Sequence, residues 1–417
     1  MRITLLDPHA PTWGAQLDSL YRRLGGGDNP TLFPYHFLHA TLPRIGGHLV
    51  CCHQGETLCA VGFLFPCQTP SFTPDQRDYV LRYHHVAGAP AVDMSALQAH
   101  VSVLLQGAAI ALYDPLGELH FPATHEQFNG VDIGRPDAGE AAAIRDLQRE
   151  VWGSPPEFLY PADIHSVEFG LGASLVARVD GPPAGFLFGF VKFGGHSLPA
   201  DWQSRFGGGL RLESQALGVL PAYRGARIGF LLKKAQAQHA RHAGIQLVNW
   251  TVDPLQWPNA VLNFGLLRAL AFDFTPDYYP FRNELNRVAA SRFSLTWLVG
   301  APRVAAALAP PRRPPVMIDL AQTPAILRVN QGTEIVHPTP NTPQIALEIP
   351  ADWTSLQRTD LERATVWRAA TDRLFAQLVG AQPGQYVITD VGVDGEQRFL
   401  IGRRADAATW DALLAGP

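Results

Sequence analysis

Apolar residues recur along this chain with two periods, and the changes between them mark out α and β segments. Leu17, Leu20, Tyr21 and Leu24 fall at helical spacing and predict a short helix over 17–24, ended by Gly25-Gly26-Gly27. A second helix is expected over 35–42. The apolar runs 48–52 and 58–64 are joined by Gln54-Gly55-Glu56, a hairpin signal, and a further strand is expected over 78–85. A helix over 97–105 leads into a strand over 109–113. Polarity rises across 129–136, and a longer pattern then begins. Ala143, Ile144, Leu147 and Val151 place a helix over 140–152, and strands over 175–179 and 184–190 flank the turn Asp180-Gly181-Pro182-Pro183. A strand over 210–219 precedes a helix over 228–243 with Gly244 past its end. Then come a strand over 245–252, a helix over 260–270 and a strand over 293–299.

Pro302, Pro310, Pro311, Pro314 and Pro315 make 301–316 read as a linker. A strand over 344–349, a helix over 356–378 and a hairpin over 386–403 follow it. At 417 residues the chain exceeds one ordinary domain. The expected division is an α/β unit over 1–125, a central α/β domain over 126–300, and a linker with a small α/β tail over 301–417. The N-terminal unit repeats the order helices, hairpin, strand. It reads either as a degenerate copy of the first half of the central domain or as a plain accessory domain.

Composition narrows the picture. With 47% hydrophobic and 17% charged residues the chain can bury an ordinary globular core. No apolar run approaches the roughly 20 residues that span a bilayer. Asp7 and Pro8 interrupt the N-terminus before any signal-peptide core, so no membrane partner and a cytoplasmic location are expected. A net charge of −4 argues against a nucleic-acid partner. Lysine occurs only at 192, 233 and 234, which reads as composition bias because no basic block accompanies it. Cys51, Cys52, Cys59 and Cys67 lie in one apolar stretch. Adjacent Cys51 and Cys52 on a strand point to opposite faces, so small apolar strand residues are expected there, and no metal, although His48 and His53 are near.

The segment richest in chemistry runs from Leu217 to Leu232. A strand ends at Val219, and Pro221 lacks the N–H that further ladder pairing needs. A loop of small residues then opens a helix with the apolar stripe Ile228, Leu231, Leu232 and Ala235. The first turn of a helix has unpaired amides and partial positive charge, and small residues let a diphosphate reach them. An ordinary tight connection is the plainer alternative. The P-loop pattern fails, because Phe230-Leu231 follows Gly229 where Lys-Ser/Thr is needed, and the dinucleotide fingerprint lacks its third spaced glycine.

The spacing V-x-P-x-x-R-G-x-x-I-G-x-x-L, carried by Val219, Pro221, Arg224, Gly225, Ile228, Gly229 and Leu232, resembles the acyl-CoA signature of the GNAT superfamily. The similarity covers about 130–300. The segment 247–254 (LVNWTVDP), Pro276-Asp277-Tyr278-Tyr279, Asn286-Arg287 and, in the tail, 348–352 with Trp367-Arg368 resemble a little-characterised bacterial branch of it. The resemblance implies a mixed, mostly antiparallel sheet flanked by helices. It also implies transfer of an acyl group from acetyl-CoA or another acyl-CoA to a primary amine of a small molecule or amino acid, without a metal. Oligomeric state is left open, a homodimer included. One residue departs: Arg227 stands where relatives usually carry Gly. Its side chain would either crowd the diphosphate or pair with a CoA phosphate.

The resemblance also implies roles. Leu217, Gly218 and Val219 offer amides to the thioester carbonyl and pantetheine arm. Arg224, Gly225, Ala226, Arg227, Ile228 and Gly229 surround the diphosphate, and Asn259 contacts the cofactor or simply caps its helix. Glu213 stands where some relatives place the general base, and period two would put it on one face with Gln215, Leu217 and Val219. A surface carboxylate is the alternative. The helix tyrosine that relatives use as the acid is absent from 259–272, which leaves Tyr278 or Tyr279, expected in a loop. His165 and Glu168, three apart, would either line the acceptor pocket or, on the plainer reading, lie in a solvated loop. Two alternatives to an enzyme stand beside this reading: an acyl-CoA sensor and a partner-binding protein.

Overall fold

The computed structural model describes residues 2–24, 35, 37–44, 46–66, 79–108, 110–113, 130–153, 156, 159–165, 172–206, 210–279, 282, 286–310 and 313–415. They belong to two compact units, Met1–Pro122 and Ala123–Pro417.

In the first unit, β1 (Arg2–Leu6), α1 (Trp13–Arg23), α2 (Leu42–Arg44), β2 (His48–Gln54), β3 (Thr57–Pro66), β4 (Tyr79–His85), α3 (Met94–Leu104) and β5 (Ile110–Tyr113) follow in turn. The sheet order is β1-β2-β3-β4-β5, antiparallel until β4 and parallel between β4 and β5. Edge strand β1 was not legible, because none of its side chains is fully buried. Each face of the sheet carries its own core. Cys51 packs with Leu17, Leu49 and Phe63, and Cys52 packs with Leu81, Leu97 and Val101, as the alternation requires. Burial pushes their thiols up to about 11 and about 12. Cys67 lies outside the described residues.

The second unit opens with β6 (Val131–Gly134), α4 (Ala138–Trp152), β7 (Gly172–Val179), β8 (Pro183–Phe193), α5 (Ala200–Phe206), β9 (Leu210–Val219), α6 (Ile228–His242) and β10 (Leu247–Val252). The start of α4 is fixed by a reciprocal capping box between Asp137 and Glu140. Strands β6 to β10 repeat the order and directions of β1 to β5, with α6 as the crossover where the first unit has α3. The sheet then continues through α7 (Trp257–Ala260), β11 (Leu270–Tyr279), β12 (Ala290–Leu298), α8 (Pro302–Leu308), β13 (Met317–Asp319), β14 (Leu327–Arg328), β15 (Asn330–Gln331), β16 (Glu334–Ile335), β17 (Gln344–Ile349), α9 (Trp353–Thr359), α10 (Leu361–Leu378), β18 (Tyr386–Asp394), β19 (Gln397–Arg404) and α11 (Ala407–Leu414).

This is the mixed, mostly antiparallel sheet flanked by helices that was expected, with the order β14-β17-β19-β18-β11-β12-β10-β9-β8-β7-β6. Four local expectations are corrected. The helix expected over 260–270 is short: α7 passes into a π-helical turn, Val261–Leu266, and Arg268 at φ +60° turns the chain into β11. Tyr278 and Tyr279 therefore end a strand and do not lie in a loop. The segment 301–316 is not all linker, since Pro302 opens α8, a position where its missing N–H costs nothing. The tail strands join the central sheet through Ala271↔Ile388. The helix expected over 356–378 is two, divided at Asp360, whose side chain caps α10 at the Arg363 amide. No helix among the described residues is long and apolar enough to cross a membrane.

Candidate functional site

Between β9 and α6 the chain makes a 3-10 turn over Pro221–Tyr223, passes Gly225 at φ +86° and enters the helix through Arg227 at φ +68°. Residues 224–227 are exposed, while Ile228, Leu231, Leu232 and Ala235 are buried, as the apolar stripe requires. No side chain caps α6. Among the described residues, the amides of Gly225, Arg227, Ile228 and Gly229 have no backbone acceptor. Nothing lies within 4 Å of a Cβ built on Gly225, so this glycine answers to its left-handed backbone and to open space in front of it. Arg227 holds the same left-handed geometry with a side chain, at a cost of roughly 1–2 kcal/mol. A Cβ on Gly218 would come within 2.6 Å of the Phe186 ring, so no side chain fits there.

The strands beside this loop separate. β9 pairs with β10 through Arg211↔Leu247, Leu212↔Val248 and Glu213↔Asn249, and no pair follows. Its other edge stays bonded to β8 as far as Val219↔Gly185, and β10 stays bonded to β12 as far as Val252↔Phe293. A wedge therefore opens between the C-terminal halves of β9 and β10. A bulge at Gln215, between the pairs Gly189↔Ser214 and Phe188↔Ala216, marks the point of departure.

The bulge overturns the expected face. Gln215 turns its amide to the Tyr160 hydroxyl, 2.7 Å away, whereas Leu217 lies against α6, 3.6 Å from a Cβ built on Gly229. Glu213, Gln215, Leu217 and Val219 consequently do not share one side, because two consecutive residues opposing one partner reverse the alternation.

Glu213 sits at the closed end of the wedge. Its Oε1 accepts from Lys192 Nζ at 2.5 Å and its Oε2 from Arg211 at 3.0 Å, while Arg211 also donates to Asn249 Oδ1 at 2.6 Å. Burial alone would raise this carboxyl, but Lys192 and Arg211 outweigh it and hold it below the usual carboxylate range. His196, bonded to Thr296 Oγ1 at 2.6 Å, is driven down to about 4 by burial and by Arg211. Around the mouth, burial raises the phenols of Tyr160 and Tyr278, and neighbouring Tyr279 and Glu213 add to both. Tyr279 Oη stands 3.5 Å from Thr251 Oγ1 on β10, with the Arg292 guanidinium 5.0 Å over its ring.

On the α6 side, Lys233 is 3% exposed. It donates to Ser214 Oγ at 2.9 Å and Gln236 Oε1 at 3.2 Å, and rests 3.6 Å above the Trp250 ring. Burial pushes its ammonium well below the ordinary lysine range. Two of the chain's three lysines thus flank β9, a rarity visible in the composition but read there as bias. Tyr160, Arg211, Asn249 and Thr251 were missed, since each acquires meaning only through partners far along the chain.

The tail braces the end of β10. Asp253 Oδ2 accepts from Arg368 at 2.6 Å and from Trp353 Nε1 at 3.1 Å, and Arg292 stands 3.7 Å away. Arg287 reaches Gln357 through its amide and guanidinium. Asn259 is exposed inside the first turn of α7, whose N-cap is Gln256, so a capping role for it is excluded. His165 is buried against Ser174 Oγ at 2.9 Å, not solvated, and Glu168 lies outside the described residues. Trp250 and Trp297 are buried edge to face within the sheet packing. Among the described residues, no group of three or more His, Cys, Asp or Glu is placed to hold a metal ion.

No family model matches the sequence, and no curated protein matches it. Among solved structures the chain is similar to Arabidopsis thaliana NAA60 in complex with a bisubstrate analogue, with TM-score 0.33 and 15% identity over 40% of this chain and 97% of that one. It is also similar to the ribosomal-protein-S18-alanine N-acetyltransferase from Escherichia coli (TM-score 0.30, 11% identity, 40% and 94% covered). A third likeness is to an acetyltransferase of the GNAT family from Streptococcus pneumoniae (TM-score 0.32, 11% identity, 40% and 98% covered).

Proposed function

We propose that the chain is an acyl-CoA-dependent N-acyltransferase acting on a primary amine of a small molecule or amino acid. The observation that carries this reading is the wedge: β9 leaves β10 at a bulge and ends at a helix whose first amides are uncapped. An anionic diphosphate suits that helix start, and an extended amide-bearing arm suits the edge of β9 that β10 has left. Acyl-CoA supplies an activated thioester, whose carbonyl carbon the amine nitrogen attacks while CoA departs as the thiol.

In this reading Gly225, Arg227, Ile228 and Gly229 hold the diphosphate through main chain, with the exposed guanidiniums of Arg224 and Arg227 beside it. The Ala226 amide is already given to Tyr223 O at 3.3 Å, so Ala226 serves only as a small residue in the loop. The amides of Leu217 and Val219, which alternate toward the edge that β10 has left, serve the pantetheine arm and the developing oxyanion, while that of Gly218 faces β8 as the amide of Leu220 does. Asn259 approaches the cofactor from the other side of the wedge. Glu213 collects the proton of the incoming ammonium through water, and Tyr278 or Tyr279 returns one to the thiolate. In the first unit the corresponding helix start is capped, because Asp93 accepts from the amides of Ser95 and Ala96 at the start of α3. It takes no CoA in this reading.

Glu213 also favours a second reading, a non-catalytic acyl-CoA sensor, because both its oxygens are engaged by cations. Calorimetric titration with acetyl-CoA, followed by thiol release against a panel of amines, separates the two. Turnover on any amine supports the enzyme, binding without turnover the sensor, and absence of binding refutes both.

A further inference from the structure

We propose that the cavity walled by α8, α11 and the turn into β11 is a second ligand site, built for a small oxyanion that carries two or more negative charges. The cavity holds about 370 Å³, within the range of small-molecule sites, and Arg268, Arg303, Arg313 and Arg403 line it. In the sheet order β12 and β10 stand between this region and β9, so it is separate from the wedge.

The charges do not balance. Asp390 is 3% exposed at its side chain, and its oxygens take Arg268 at 2.7 Å, Thr389 Oγ1 at 2.7 Å and Arg403 at 3.6 Å. Arg303 is left over: its NH1 is buried and has no hydrogen-bond partner among the described residues, and the same holds for Arg403 Nε. Burial drives Arg303 down to about 10, with Arg268 and Arg403 pushing the same way and Asp390 opposing. It therefore remains a cation at neutral pH. A guanidinium nitrogen buried without an acceptor is costly to maintain.

The backbone adds an independent sign. Arg268 holds φ +60°, directly after the π-helical turn, and its guanidinium donates to Phe264 O at 3.1 Å. Left-handed geometry at a non-glycine residue persists where surrounding structure enforces it, commonly at ligand sites. Four planar forks lining one cavity fit phosphoryl or carboxylate oxygens, which guanidinium binds in pairs. Pyrophosphate and citrate present that chemistry from two different sources.

The test is calorimetry on the full chain in the Gly225→Asp background, which removes the diphosphate loop, with pyrophosphate and citrate titrated separately. The expected result is one site with Kd below ~1 mM at low salt for at least one anion, weakened by added NaCl. Arg303→Gln should weaken it about tenfold or more through loss of charge-assisted bonds. Arg303→Lys, which keeps charge without the fork, should fall between and serves if the glutamine variant unfolds. In the otherwise natural chain Arg303→Gln should leave CoA affinity unchanged, whatever the fate of the acyltransfer reading. Saturation by pyrophosphate alone identifies a phosphoryl ligand, and by citrate alone a polycarboxylate. Absence of binding for both anions, or equal affinity in the Arg303 variants, overturns the proposal.

Discussion

Arg227→Gly probes the cofactor loop and its backbone together. The residue lies at φ +68°, is exposed, and gives α6 no side-chain cap. Left-handed geometry costs an L-residue roughly 1–2 kcal/mol, and glycine removes that cost. Glycine's freedom in the unfolded chain takes back about 0.4–1 kcal/mol, leaving a net stabilisation of about 0.5–1 kcal/mol. One kcal/mol shifts Tm by only about 2–4 °C in a domain of 150–250 residues, so the urea midpoint at constant m is the better readout. CoA affinity should move the other way. An exposed guanidinium contact to phosphate is worth about 1 kcal/mol after solvent screening, or about fivefold in Kd. Higher stability with weaker binding is the expected pair. Tighter binding would show that Arg227 crowds the diphosphate, and unchanged stability would refute the strain assigned to its backbone.

Glu213→Gln should lower kcat with little change in KM. Because Lys192 and Arg211 hold the carboxyl low, the acid limb of the natural chain's kcat/KM profile should fall below the usual glutamate range; a limb above it assigns deprotonation elsewhere. Lys233→Met should stabilise the fold by about 1–3 kcal/mol at pH 7, since Gln236 Nε2 already donates to Ser214 Oγ at 3.1 Å and that pair survives. With the folded ammonium titrating well below the unfolded one, stability of the natural chain should climb with pH up to about 10.5 and flatten in the variant. Loss of stability in urea melts of Lys233→Met would contradict this. His196 and His239 are lowered to about 4, chiefly by burial, from 6.5. Both stay neutral when folded, so acidification from pH 6.5 to 4 should remove on the order of 3 kcal/mol for each. His239→Gln should flatten part of that slope in pH-dependent unfolding, and an unchanged slope would place the acid sensitivity in other groups.

Strand β9 and the start of α6 were legible because their signals are local: a period-two run, a proline that ends it, then an apolar stripe. The separation of β9 from β10 was not, since it depends on a bulge at Gln215 that no neighbouring residue announces. That bulge also reversed the expected side for Leu217. Strand β11 was hidden for a different reason. The run Leu266-Leu267-Arg268-Ala269-Leu270 suits a helix, and only tertiary pairing with β12 and β18 makes the chain from Leu270 onward a strand. Prolines at 302, 310, 311, 314 and 315 suggested a linker, although a proline in the first turn is compatible with a helix. Ion pairs such as Glu213 with Lys192, or Asp253 with Arg368, join residues 21 and 115 positions apart. No spacing rule reaches that far.

A crystal structure of the chain with coenzyme A tests the central claim most directly. It should show diphosphate oxygens within hydrogen-bond distance of the amides of Gly225, Arg227, Ile228 and Gly229, and the pantetheine arm between β9 and β10. Coenzyme A bound elsewhere, or that corner closed by the Arg227 guanidinium, would contradict it.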